Sequence, residues 1–210
     1  MEKLLIDLFD FTGNSALPYL EAGWRVIQID KKHGSDIMDF EYQKIIHEDR
    51  YKFALPQVGI IAMIPCTAYA LSGNRHKKSE KRVPIFNESQ KLVARTKEII
   101  DYFDRLGILQ FWMIEQPRTD IHTINPWIGK IRQRIHPHLL AGYDPIPENS
   151  QYRKWTWLFG NFNLIPEKPL PPLQHEFPGF TNLGGGSERT KELRSATPLG
   201  LSYGFHHANP

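Results

Sequence analysis

"KLLIDLFDFTGNSALPYLEAGWRVIQID", residues 3–30, decides the fold. Residues 3–9 read as a buried first strand, and residues 12–14, Thr-Gly-Asn, as a turn. A helix is expected over 15–23, with Asn14 or Ser15 as its N-cap and Gly23 as its stop. Pro18 falls in its first turn, where the missing N–H is not needed. Residues 24–30 then form a second strand that ends on an acid, Asp30. Strand, tight turn, helix, strand and acid within roughly 30 residues is the opening unit of a nucleotide-binding α/β sheet.

The same alternation continues outward. Residues 58–64 are an almost unbroken apolar run, as expected of a strand covered on both faces. Residues 87–107 predict a helix whose broad apolar face carries Leu92, Val93, Ile99, Ile100, Phe103 and Leu106, with Gly107 as its stop. Residues 108–115 predict another buried strand, again ending in an acid, Glu115. Beyond it, residues 138–143 and 156–162 read as antiparallel strands. Residues 165–179 are proline-rich and irregular, 183–195 form a loop, and 197–209 a closing helix. A mostly parallel sheet with helices on both faces is expected, in one domain over 1–210. Residues 163–190 form an irregular Pro/Gly-rich segment within it.

Composition narrows the class. The 210 residues are 40% hydrophobic and 23% charged, ordinary for a globular chain with a sizeable core. A net charge of +3 and a pI near 8.9 permit an acidic partner without demanding one. The single cysteine, Cys66, excludes an internal disulfide and any multi-cysteine zinc site, and fits a reducing, cytoplasmic setting. The N-terminus carries acids within its apolar stretch and does not read as a signal peptide. The longest apolar run, 58–66, is far short of the roughly 18 residues a membrane span needs. A zinc site on His206 and His207 is disfavoured, because adjacent helical histidines point in different directions.

Four features fall where strands end, and in a parallel sheet such ends converge on one crevice. "DLFDFTGN" has one glycine where a dinucleotide fingerprint has three, so its turn is either a ligand cradle or a plain connection. Asp30, and Asp36 within "GSDI", offer carboxylates to ribose hydroxyls and an adenine amino group, or serve as turn caps. "IPCTAYALSG" sets Cys66 at a strand's end behind Pro65. It is either a core residue or a nucleophile, with a following helix to lower the thiol pKa. Glu115 in "MIEQPRT" sits where desolvation raises a carboxyl pKa, or is a Glu capped by Arg118.

Taken in order, "DLFDFTGN", "IDKK", "GSDI", "PCTAYALSG", "IEQP" and "QYRKW" resemble the motifs of DNA cytosine-5 methyltransferases, from Asp7 to about Phe162. The tail "ERTKELRSATPLGLSYGFHHAN" is similar to the closing motif of compact, phage-type members. The resemblance implies a Rossmann-like methyltransferase sheet, S-adenosylmethionine as cofactor and DNA as partner. Phe9, Thr12, Gly13 and Asn14 would line the methionine and adenosine. Asp30 would hold the ribose, and Asp36 with Ile37 the adenine, with Lys31 and Pro65 beside them. Cys66 would be the nucleophile, Glu115 would contact cytosine N3 and the exocyclic amine, and Arg153 would sit near the base and its phosphate. Ser72, Gly73, Arg75, Lys77 and Lys78 would lie on a loop that closes over DNA.

The chain departs from the pattern in four places. The glycine motif ends "TGN", Gln116 follows Glu115 where Asn is usual, and Trp155 replaces a second arginine. The segment before the tail is too short for a target-recognition domain, so specificity would be low or come from a protein partner or self-association. Two other readings stay open: a related C5 transferase using a free nucleotide or a modified cofactor, and a catalytically weak DNA- or cofactor-binding protein.

Overall fold

The computed structural model describes residues 2–71, 83–173, 192–193 and 195–210. Six strands form one mixed sheet in the order β2-β1-β3-β4-β6-β5. They are β1 (Lys3–Leu8), β2 (Arg25–Ile29), β3 (Gln57–Ala62), β4 (Leu109–Pro117), β5 (Gln133–Ile135) and β6 (Thr156–Asn161). β1 pairs in parallel with β2 and β3, and β3 with β4. β6 runs antiparallel to both β4 and β5, so it alone opposes the common direction. The helices are α1 (Leu17–Glu21), α2 (Val83–Arg105), α3 (Ile121–Ile124) and α4 (Leu199–Ala208).

Alternation along the strands divides the core into two layers. Leu4, Ile6, Leu8, Val58, Ile60 and Ala62 pack on one face against Leu92, Val93, Ile99, Ile100 and Phe103 of α2. Leu5, Ile61, Phe111 and Met113 pack on the other against Tyr19 of α1 and against Leu201 and Phe205 of α4. Helices therefore cover both faces of an α/β sheet, as the buried apolar runs implied. The strand over 156–162 is present and antiparallel as expected. Among the described residues no helix is long and apolar enough to cross a membrane.

Several expectations are corrected. The long helix begins at Val83 rather than residue 87, because Pro84 falls in its first turn and is tolerated there. It ends at Arg105, leaving Leu106 exposed instead of on the apolar face. Residues 138–143 are not a strand. They form two single 3-10 turns, Pro137–Leu139 and Ala141–Tyr143, which bury Leu140 and Ala141. The true edge strand, β5, is a short polar run with no alternation to reveal it. Most of the loop expected over 183–195 lies outside the described residues.

Gly59 marks a close approach in the middle of the sheet. A Cβ placed there would stand 2.2 Å from the Phe111 ring, its register partner on β4. Overpacking of this kind costs about 1–3 kcal/mol. Gly59→Ala should lower unfolding stability in urea by that amount; an unchanged midpoint would show that Phe111 moves aside freely.

Candidate active site

The chain order reverses at β1, which has β2 on one side and β3 on the other. Ligand crevices open beyond the carboxyl ends of strands at such a reversal. β1 leaves the sheet at Phe9, the only described non-glycine residue with a positive φ, at 66°. The left-handed region costs an L-residue about 1–2 kcal/mol, and its Phe9 N–H is held by the Ile29 carbonyl at 2.9 Å. Asp10 then organises the turn. Its Oδ1 accepts from the Thr12 N–H (3.1 Å) and hydroxyl, and its Oδ2 from the Ser15 N–H (2.8 Å).

A cavity of about 160 Å³ lies at this end of the sheet. It is lined by Phe9, Ile29, Asp30, Lys31, Ser35, Asp36, Ile37, Pro65, Glu88 and Leu92. Phe9, Asp30, Lys31, Asp36, Ile37 and Pro65 thus meet in one place. Thr12, Gly13 and Asn14 do not line it. Thr12 and Gly13 shape the turn, with Gly13 at φ 69°, and the Asn14 amide instead donates to the Thr197 carbonyl at 2.8 Å, anchoring the segment before α4. Asp30 also caps the turn after β2, its Oδ1 accepting from the Lys32 N–H at 2.8 Å. Asp36 accepts from the Met38 N–H (3.0 Å) and pairs with Lys31 (3.0 Å); the backbone bond, then the ammonium, hold its carboxyl below the usual range. Arg95 of α2 grips the carbonyls of Ile37 (3.2 Å) and Phe40 (2.9 Å) and lies 4.8 Å over the Tyr42 ring. It fixes the loop that carries Asp36 and Ile37.

Pro65 also caps the 3-10 turn Cys66–Ala68. Cys66 is half-buried and belongs to neither core layer. The turn is pinned from β4, where the buried Gln116 amide donates to the Ile64 carbonyl. Its continuation is laced to the segment after Glu115, with the Leu71 N–H donating to the Arg118 carbonyl at 3.1 Å and Ala70 bridging Thr119.

The electrostatics join residues remote in sequence. Burial pushes the Cys66 thiol up, the Glu115 charge adds to that, and Lys154 pulls it back down. Burial pushes Glu115 up as well; Lys154 opposes this and Asp10 reinforces it. The nucleophile reading of Cys66 allowed for a following helix to lower its thiol pKa; among the described residues a 3-10 turn follows, and desolvation is the largest influence on the thiol. Arg153 is exposed, and its charge reaches His136 and His138, while its neighbour Lys154 faces the Cys66–Glu115 pair. Ser72, Gly73, Arg75, Lys77 and Lys78 lie outside the described residues.

Sequence reasoning missed Lys154, Arg95 and Asp7. Lys154 lies within "QYRKW", beside the arginine that drew the eye, and Arg95 is one of four cations along α2, with no local signal to single it out. Asp7 is fully buried on β1; its Oδ1 accepts from the Ser15 hydroxyl at 2.6 Å, and its Oδ2 has no hydrogen-bond partner. Burial, then Asp10, push its pKa well above the carboxylate range. No family model matches this chain, and no curated protein matches it either.

These charges set the reactivity of the thiol and the pH dependence of the fold. Glu115→Gln removes a like charge, so the Cys66 thiol should react faster with iodoacetamide at fixed pH; Lys154→Met should slow it. Equal rates in all three proteins would break the electrostatic link. Asp7, for its part, keeps its proton when folded at pH values where the unfolded chain has lost it. Stability from this site is complete below the ordinary carboxylate pKa, near 3.9, and is lost as pH rises through the raised folded value. Asp7→Asn should therefore flatten the decline of Tm with rising pH; a steeper decline would contradict the assignment.

Proposed function

We propose that the chain is a DNA cytosine-5 methyltransferase on a Rossmann-like methyltransferase fold, with S-adenosylmethionine as its cofactor. The observation that carries this reading is the double position of Pro65. It lines the acid-bearing cavity and caps the turn that presents Cys66 to Glu115. The motif order from Asp7 to Phe162 supports the same reading.

The cavity suits a nucleoside. Asp30 and Asp36 supply acceptors for ribose hydroxyls and an exocyclic amine, while Phe9, Ile29, Ile37 and Leu92 supply apolar walls. When bound, S-adenosylmethionine supplies the electrophilic methyl group that carbon 5 of cytosine takes. The protein's own part is to make carbon 5 nucleophilic. The Cys66 thiolate adds to carbon 6, and a neutral Glu115 gives its proton to N3, so the ring's electrons reach carbon 5 as an enamine. Once carbon 5 is methylated, its proton leaves to water, the carbon–sulfur bond breaks, and the thiolate returns to Cys66. The proton on N3 returns to Glu115. Lys154 pulls the thiol pKa down, and burial pushes the Glu115 pKa up, which favours its protonated form. A base inside a duplex cannot meet the thiol, so the target must be unstacked or already unpaired.

The test is transfer of labelled methyl from S-adenosylmethionine to cytosine-containing DNA, with free deoxycytidine nucleotide as competitor. Cys66→Ser should abolish transfer while leaving cofactor binding and Tm near those of the parent. DNA containing 5-fluorocytosine should form a denaturation-resistant adduct mapped to Cys66. Robust turnover by Cys66→Ser, or an adduct elsewhere, would remove the thiol from the chemistry.

A further inference from the structure

The carboxyl end of the sheet carries a second group of residues beside the Cys66–Glu115 pair. β6 begins opposite the end of β4, with Thr156 in register with Pro117, and Ile135 of β5 lies across from the same Thr156. The residues just before β6 and just after β5 therefore emerge together at the crevice. They are Arg153, Lys154 and Trp155 on one side, and His136 and His138 on the other.

Trp155 is the only exposed one of the five tryptophans, at 55%. Its ring is not loose. His136 packs on it with centroids 4.3 Å apart, and His138 lies 5.6 Å behind His136. The His136 ring also hydrogen-bonds the Lys154 backbone. The Nδ1 atoms of both histidines are buried without a hydrogen-bond partner. Glu167 is felt at His138 and Glu115 at Lys154, while the Arg153 charge acts on both histidines. An indole held from behind and flanked by cations is a stacking platform with a phosphate-binding edge.

Resting on the proposed function above, we propose that this rim binds an unpaired stretch of the DNA strand next to the target cytosine, with one base stacked on Trp155 and its phosphate on Arg153. Stacking needs a base whose face is free, which a duplex does not offer. The rim is built from a three-residue strand and single 3-10 turns, which are short for filling a major groove some 12 Å wide. The substrate class is therefore single-stranded, or locally unpaired, DNA.

The probe is oligothymidylate, which has no cytosine and so reads the rim apart from methyl transfer. Fluorescence anisotropy should show the parent binding it more tightly than an equal-length duplex. Trp155→Ala should lose about tenfold in affinity, and Trp155→Phe should keep most of it. Arg153→Gln should lower the slope of log affinity against log salt by about one. Trp155→Ala binding like the parent, or the duplex binding as well as the single strand, would overturn the proposal. A failed methyl-transfer assay together with lost oligothymidylate affinity in Trp155→Ala would sink the chemistry and support the rim. Successful transfer with unaffected affinity would do the reverse.

Discussion

The Cys66 thiol and the Glu115 carboxyl share one poorly hydrated space, and both cannot be charged there without opposing each other. Burial raises both pKa values, and the charge of Glu115 raises that of the thiol further. Lys154 opposes the rise at both groups, and Asp10 adds to it at Glu115.

The pair is held in place by the sheet. Successive residues of a strand face opposite sides, so Glu115 and Gln116 play separate parts. Glu115 points to the face it shares with Phe111 and Met113, and Gln116 to the other, where its amide holds the Ile64 carbonyl. A hydrogen bond from the residue beside the acid thus fixes the backbone two residues before the thiol. The parallel register of β3 and β4, with Ala62 beside Ile114, sets the distance over which that bond can form. Asp10 likewise acts twice. It builds the turn after β1, and it places a negative charge near both Asp7 and Glu115.

The legible parts of this chain were those governed by local pattern. The runs in β1, β3 and β4 announced themselves because a strand buried on both faces has no polar positions to break it. Gly23 at φ 81° and Gly107 at φ 69° ended helices where the sequence placed their stops. Asp30 and Asp36 could be placed at one crevice because they follow a readable strand, whereas Ile37 and Pro65 joined them through the motif resemblance. What local pattern does not encode was missed or misplaced. β5 has three residues and draws its stability from pairing with β6. Residues 138–143 are apolar enough for a strand, yet local turns take the Leu139, Leu140 and Tyr143 N–H groups, and a distant segment takes the Gly142 N–H and the His138 and Leu139 carbonyls. Arg153 and Lys154 are equivalent cations in sequence, and only the direction of the chain entering β6 assigns one to the histidines and the other to the acid.

That distant segment gives the irregular run after β6 a structural role. The Lys168 N–H donates to the Leu139 carbonyl (2.9 Å), the Leu170 N–H to His138 (3.0 Å) and the Leu173 N–H to Gln151 (2.9 Å). The Gly142 N–H donates back to the Lys168 carbonyl (2.9 Å), and the Gln151 amide to the Pro171 carbonyl (2.6 Å). Pro166, Pro169, Pro171 and Pro172 have no N–H and restrict φ, so the run stays extended at little entropic cost while the residues between them donate. It straps His138, just after β5, to Gln151, which opens the segment that carries Arg153, Lys154 and Trp155 into β6. These bonds tie the run to the rim beside the Cys66–Glu115 pair.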